Sequence, residues 1–407
     1  MTGARDYAIV TAAYWGFTLT DGALRTLVLL HFYRLGYSPF TLALLFLLYE
    51  AAGIVANLGG GWLAARFGIT RMLAVGMAAQ IAGLLMLSAL DPAWGGAASV
   101  AWVVAAQGVS GVAKDLTKTA SKSAVKLTAA SASGTLFRWT AWFTGSKNAI
   151  KGVGFFLGGA LLGLVGFRPA LWLMAGGLGL VLACVLLALP PLLGKSKASR
   201  SAREFLAKSR GVNLLAAARI TLFAARDVWF VVGLPVFLYS SGWTFTGVGT
   251  FLAVWTIGYG LVQAATPALV RRSSDGLSRE VPAARAWALG LAAVPTLLGL
   301  VLALALPGRP DLVVTVGLGL FGLAFAVNSS LHSYLILAYA GSEKAAEDVG
   351  FYYAANAAGR LLGILLSGTL YQAGGLVACL FGAAALLAVC WATSLALPVA
   401  RTQPVAA

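Results

Sequence analysis

Twelve apolar runs, each of roughly twenty residues or more, follow one another along this chain, and that succession constrains its fold more than any motif. They lie near 8–33, 41–65, 70–90, 97–122, 136–165, 168–190, 212–240, 245–270, 284–306, 311–338, 346–373 and 376–398. A run of that length crosses the hydrocarbon core of a bilayer only as a helix, because lipid offers no partner to a free backbone N–H or C=O. Nothing alternates with period two, so strands are not expected. The expected fold class is an all-α membrane protein of twelve transmembrane helices in two pseudo-repeat six-helix bundles. Composition agrees: 60% of the 407 residues are hydrophobic, 10% are charged, and mean hydropathy is +0.87. A soluble enzyme and a disordered chain are both excluded by that balance. The first run is too long for a signal-peptide core and is expected to stay as a span.

One segment interrupts the pattern at the midpoint. Residues 193–211 read LGKSKASRSAREFLAKSRG, which is polar, basic and serine-rich. We read it as a linker between an N-terminal six-helix bundle, 1–192, and a C-terminal one, 212–407. The halves also share a weak internal repeat. Asp21 and Tyr33 recur as Asp227 and Tyr239. Lys151, Gly154, Gly159 and Leu161 recur as Arg360, Gly363, Gly368 and Leu370, and Gly53 and Val55 as Gly260 and Val262. A near-constant offset of this kind suggests a parallel duplication. One set of loops carries Arg66, Arg71, Lys126, Lys195 to Arg210, Arg271, Arg272, Arg279 and Lys344; the opposite set carries Arg34, Arg168 and Arg309. The basic side faces the cytoplasm. Both termini are therefore expected inside the cell, with the chain multi-pass in the inner membrane.

The connection after the second span reads Gly61-Trp62-Leu63-Ala64-Ala65-Arg66-Phe67-Gly68-Ile69-Thr70-Arg71. It resembles the signature loop of the major facilitator superfamily, with Arg66 and Gly68 in place and Ala65 where an acid usually stands. A narrower resemblance lies in Tyr14-Trp15, Thr18 to Arg25 and His31-Phe32, in Gly111 to Lys118, in Gly145 to Phe156, and in Ala225 to Phe230. These stretches resemble the ArsJ organoarsenical efflux transporters. The resemblance implies export of 1-arseno-3-phosphoglycerate, and a functional link to glyceraldehyde-3-phosphate dehydrogenase, whose use of arsenate makes that product.

Ionisable residues inside a membrane are costly, so each is a functional candidate. Asp21 and Arg25 share a face of the first span at i, i+4, and an intrahelical pair is one reading of them. On the fourth span Gln107, Ser110, Lys114 and Lys118 form a stripe with Asp115 beside it, and Lys122 extends it toward the solvated end. On the fifth, Lys147, Asn148 and Lys151 sit amid apolar residues with no acid within four positions, while Arg138 reads as an interface anchor. The seventh carries Arg219, Arg226 and Asp227; the eleventh lines up Tyr352, Asn356 and Arg360; the tenth offers Asn328 and His332. Glu50 has no cation near it on its own helix, so it is either a proton carrier or the partner of a cation across helices. We assign Arg25, Lys114, Lys118, Lys147, Asn148, Lys151, Arg226, Asn356 and Arg360 to a small anionic substrate. Asp21, Glu50, Asp115, Asp227 and His332 are the candidates for coupling or gating.

The deep cations outnumber the deep acids, which points to a multiply charged anion such as an organic phosphate or arsenate. A sugar-phosphate/phosphate exchanger fits the same charges. A drug/proton antiporter is disfavoured by them, and a membrane receptor or scaffold is the alternative outside transport. The net charge of +16 belongs to the cytoplasmic rim and the spans, not to nucleic acid. The only partners expected are the substrate, the lipid bilayer and the dehydrogenase. Cys184, Cys379 and Cys390 form no CxxC and no cluster with histidine, so no metal is expected. No cofactor is expected either. Gly194-Lys195-Ser196 has only the tail of a P-loop, and no catalytic triad or carboxylate pair stands out.

Overall fold

A computed structural model describes residues 2–129, 136–190, 193, 208–270, 273, 275–304, 308–340 and 345–399. Most of the 193–211 linker, Arg271, Arg272 and Lys344 lie outside the described residues, as do the side chains of Lys122, Lys126 and Arg138. The described residues contain no strand. Their helices are α1 (Thr2–Arg34), α2 (Pro39–Leu45), α3 (Leu47–Phe67), α4 (Ile69–Ser88), α5 (Gly96–Ala129), α6 (Leu136–Leu164) and α7 (Phe167–Ala188). They continue as α8 (Arg210–Phe230), α9 (Gly233–Ser240), α10 (Phe245–Leu269), α11 (Glu280–Ala303), α12 (Pro310–Tyr339) and α13 (Ala345–Leu395).

Among the described residues, nine helical segments are long and apolar enough to cross a membrane. Large apolar side chains point outward from them: Leu187, Leu164 and Leu180 are 89%, 83% and 73% exposed. A helix that presents leucine to its surroundings while packing its other face is built for lipid, and the chain is a multi-pass membrane protein.

Two expected spans are interrupted. The second is split at Phe46 into α2 and α3. The seventh is split after Val231 into α8 and α9. Pro235 accounts for that break, since its ring clashes with the carbonyl four residues back, that of Val231. The eleventh and twelfth are the two arms of α13, which turns at Gly374 and Gly375; the φ of +62° at Gly375 favours glycine. Gly68, at φ +84°, caps α4 two residues after Arg66, which explains why the signature loop needs glycine there.

The chain divides into two compact units. Unit 1 comprises Met1–Arg200 with Leu238–Gly260, and unit 2 comprises Ser201–Phe237 with Leu261–Ala407. The stretch 238–260, which the sequence places in the second half, thus packs with the first.

In unit 1, α1 packs on α5, α6 and α7, and α4 packs on α5 and α7. Val10, Phe17, Leu73, Met77, Ala113, Leu178 and Val185 form a core there. Glycine sets the tightest approaches. A Cβ on Gly158 would lie 2.2 Å from the Ala23 carbonyl oxygen, and one on Gly154 would lie 2.6 Å from that of Leu19. A Cβ on Gly22, facing back, would lie 2.7 Å from the Lys151 carbonyl oxygen. The main chains of α1 and α6 are therefore in direct contact, as small residues allow in a membrane. In unit 2, α13 packs on α8 and α11. Gly359 meets the backbone of Ile220, and Gly363 that of Ala224, so the α8–α13 contact is equally close.

Candidate functional site

Unit 1 carries a buried charge cluster contributed by α1, α3, α5 and α6. Helix α3 brings Glu50 against α1, where its Oε1 lies 2.5 Å from Arg25 Nη2. The other oxygen, Oε2, lies 3.6 Å from Lys114 Nζ on α5. Glu50 thus has two cation partners across helices and is 1% exposed. Of the two sequence readings, the structure supports the cross-helix pair. Asp21 does not pair with Arg25. It accepts the Tyr49 hydroxyl and lies 3.8 Å from Lys151 Nζ on α6. The i, i+4 reading fails because α3 and α6 each offer a better-placed partner than one turn of the same helix does.

Tyr49 stands at the centre. Its ring lies 3.9 Å below Lys114 Nζ and 5.3 Å from the Arg25 guanidinium, an arrangement that stabilises both cations through the ring face. Its carbonyl accepts from Lys114 Nζ at 3.4 Å. Gly111 lets α5 approach this point, since a Cβ there would lie 2.5 Å from the Tyr49 carbonyl oxygen. Nothing local in the sequence marks Tyr49.

The α5 stripe closes on itself. Asp115 lies 3.1 Å from Lys118 and 3.7 Å from Lys114 and is 2% exposed. Lys118 also donates to Asn57 Oδ1 at 2.8 Å. On α6, Lys147, Asn148 and Lys151 are each half-buried. A Cβ on Gly260 of α10 would lie 3.0 Å from Asn148 Cβ. Trp15 Nε1 donates to Ser146 Oγ at 3.1 Å, tying α1 to the same turn of α6. Four cations, Arg25, Lys114, Lys118 and Lys151, share this region with three acids, Asp21, Glu50 and Asp115, and Lys147 stands one turn from Lys151 on α6.

Unit 2 has its own cluster. Arg226 folds back on its neighbour, with Nε donating to Asp227 Oδ1 at 2.6 Å. The second oxygen of Asp227 lies 3.4 Å from Arg360 Nε on α13. Asp227 is thus the residue that bridges helices. Asn356 does not join this group: it accepts from Arg219 Nε at 3.0 Å. His332 and Asn328 are fully buried on α12. Arg219, which the sequence shows only as a further charge on the seventh span, is 4% exposed.

The arrangement offers charge and hydrogen-bond donors to an anion. Among the described residues, no group of three or more histidines, cysteines or acids could hold a metal ion.

The Major Facilitator Superfamily model matches residues 8–306, and the chain belongs to that superfamily. No curated protein matches the sequence. Among solved structures, a POT family transporter in complex with a thioalcohol-conjugated peptide is similar at TM-score 0.74 and 13% identity, over 95% of this chain and 94% of that one. A POT family transporter in complex with 5-aminolevulinic acid is similar at TM-score 0.74 and 14% identity, over the same shares. A mutant of the nucleoside transporter NupG matches at TM-score 0.73 and 13% identity, over 98% of this chain and 99% of that one. The likeness establishes a transporter fold.

Proposed function

We propose that this member of the superfamily is a secondary active exporter of an organic arsenate or phosphate anion, working by alternating access. The cargo we favour is 1-arseno-3-phosphoglycerate, so that the protein confers arsenate resistance beside a glyceraldehyde-3-phosphate dehydrogenase. The chain then spans the inner membrane twelve times in two six-helix halves, 1–192 and 212–407, with both termini and the 193–211 linker cytoplasmic.

The observation that carries this reading is the charge imbalance in unit 1. Arg25 is committed to Glu50, and Asp115 is shared by Lys114 and Lys118. Lys151 lies 3.8 Å from Asp21, and its side chain is 17% exposed. Burying surplus cations costs several kcal/mol each unless an anion joins them. A dianionic ester supplies that charge, and arginine and lysine suit its tetrahedral oxygens. The cysteines do not suit trivalent arsenic, which prefers thiolates. Cys379 and Cys390 are buried on one arm of α13, and eleven residues of helix separate them by about 16 Å.

Inverted vesicles test the proposal. They should accumulate arsenic when arsenate is supplied with glyceraldehyde 3-phosphate, NAD and the dehydrogenase. Accumulation from arsenate alone, with the dehydrogenase omitted, would replace the conjugate by a simple oxyanion.

A further inference from the structure

We infer that unit 2 holds a second anion site, built on Arg219 with Asn328 and His332. It shares no residue with the lysine cluster of unit 1, and it stands whether or not the exported ester contains arsenic.

Arg219 is a buried cation surrounded by neutral partners. Its Nε donates to Asn356 Oδ1 at 3.0 Å, and its Nη1 donates to the Ser329 carbonyl at 3.0 Å and the Ser329 hydroxyl at 3.1 Å. The guanidinium stacks near Phe223 at 4.0 Å and Tyr352 at 4.9 Å. Among the described residues no carboxylate lies within ion-pairing distance of it. Asp227, two turns along α8, is already shared by Arg226 and Arg360. Polar carbonyls and rings orient a guanidinium, but they do not neutralise it.

The neighbouring turn of α12 supplies unused donors. Asn328 and His332 flank Ser329, and both are fully buried. Neither amide atom of Asn328 and neither ring nitrogen of His332 has a hydrogen-bond partner among the described residues. Buried polar groups in folded proteins are almost always paired, so the two donors among these four atoms, the Asn328 amide NH₂ and one ring N–H of His332, call for an acceptor. His332 lies within electrostatic reach of Arg219. A neutral imidazole offers one N–H in either tautomer, and a carboxamide offers two. Nη2 of Arg219 also makes no hydrogen bond to the described residues. A guanidinium, an imidazole N–H and an amide NH₂ together select an oxyanion. Water would satisfy the amide and the ring but leave the charge, and a cation would be repelled by it.

The test uses purified full-length protein carrying Lys147→Gln and Lys151→Gln, which weakens the unit 1 cluster. Its Tm is followed while inorganic phosphate or 3-phosphoglycerate is titrated in. A ligand that binds only the folded state raises Tm in proportion to the logarithm of its concentration. We expect such a rise, and we expect Asn328→Leu to require about tenfold more ligand for the same rise, the worth of one hydrogen bond to a charged group. Arg219→Gln should abolish the rise and Arg219→Lys should keep part of it. If Arg219→Gln does not fold, Asn328→Leu decides. A rise with phosphate alone identifies a free inorganic anion as the ligand. A rise at lower concentration with 3-phosphoglycerate identifies the acid group of a carried ester. No rise with either, or superimposable titrations with and without Asn328→Leu, overturns the site. Absence of conjugate export from the wild type bears on the proposed cargo and leaves this titration untouched.

Discussion

Lys151 reaches across from α6 to Asp21 on α1, with 3.8 Å between its ammonium and the carboxylate. In unit 2, Arg360 of α13 reaches Asp227 of α8 at 3.4 Å, and the internal repeat pairs these same positions. Each unit thus holds a half-buried cation against an acid that has a second donor, Tyr49 in one case and Arg226 in the other. A long, shared ion pair of this kind is one that an incoming anion can compete for.

The first prediction follows from that competition. Lys151→Gln should lower export into vesicles by about tenfold, the loss of one charge-assisted hydrogen bond, with the protein still in the membrane. Lys147→Gln with Lys151→Gln should lower it further. Lys122→Gln, at the end read as solvated, should change it little. Equal rates for wild type and the double variant would remove these lysines from the site.

Glu50 should behave as a structural counter-charge. Glu50→Gln leaves Arg25 buried without its acid and Lys114 with Asp115 alone, and should cost about 3 kcal/mol of stability, read as a fall in Tm. Arg25→Met with Glu50→Leu should recover most of it, because the pair leaves together. An unchanged Tm, with loss of pH dependence in transport, would return Glu50 to the role of proton carrier.

Glycine at the α1–α6 contact is required by distance, whereas at Gly177 it is not. Gly158→Val should destabilise the protein by at least about 2 kcal/mol, since its side chain meets the Ala23 backbone. Gly177→Ala on α7, where nothing lies within 4 Å, should be neutral or stabilise by up to about 1 kcal/mol. Monodispersity in detergent and Tm would separate the two.

Orientation is open to labelling. A cysteine at Ser199, in the basic linker outside the described residues, should resist an impermeant thiol reagent in intact cells and react in inverted vesicles. Reaction in intact cells would invert the topology.

Replacing Cys184, Cys379 and Cys390 together should leave export largely intact, and arsenite should not be carried by either version. Arsenite flux that depends on these cysteines would point to a soft-metal route instead.

The sequence revealed the spans because lipid imposes one rule on every backbone group, and an apolar run of sufficient length satisfies it visibly. It revealed which helices carry charge for a related reason: a lysine amid leucines is conspicuous. It did not reveal the partners. Arg25 lies one turn from Asp21 in sequence, yet it pairs with Glu50, because cross-helix contacts have no fixed spacing along the chain. Arg226 and Asp227 point about 100° apart on an ideal helix, and only the length of the arginine side chain lets it fold back. Tyr49 was inconspicuous because an aromatic in an apolar run is ordinary, and Arg219, visible as a charge within a span, gave no sign of what it would meet across helices. The break between α8 and α9 was legible in Pro235, whereas that at Phe46 carries no such mark.

The glycine contact between α1 and α6 has a consequence for how such a protein can diversify. Where two main chains touch, no side chain remains to be lengthened or trimmed, so the gap between Asp21 and Lys151 is inherited with the backbone. A lineage adapting to a new cargo can redraw Lys114, Lys118 or Tyr49 one substitution at a time. It cannot retune the α1–α6 spacing by small steps, because the first step already forces the helices apart. Specificity in unit 1 is therefore free to evolve on α3 and α5, while α1 and α6 remain its fixed ruler.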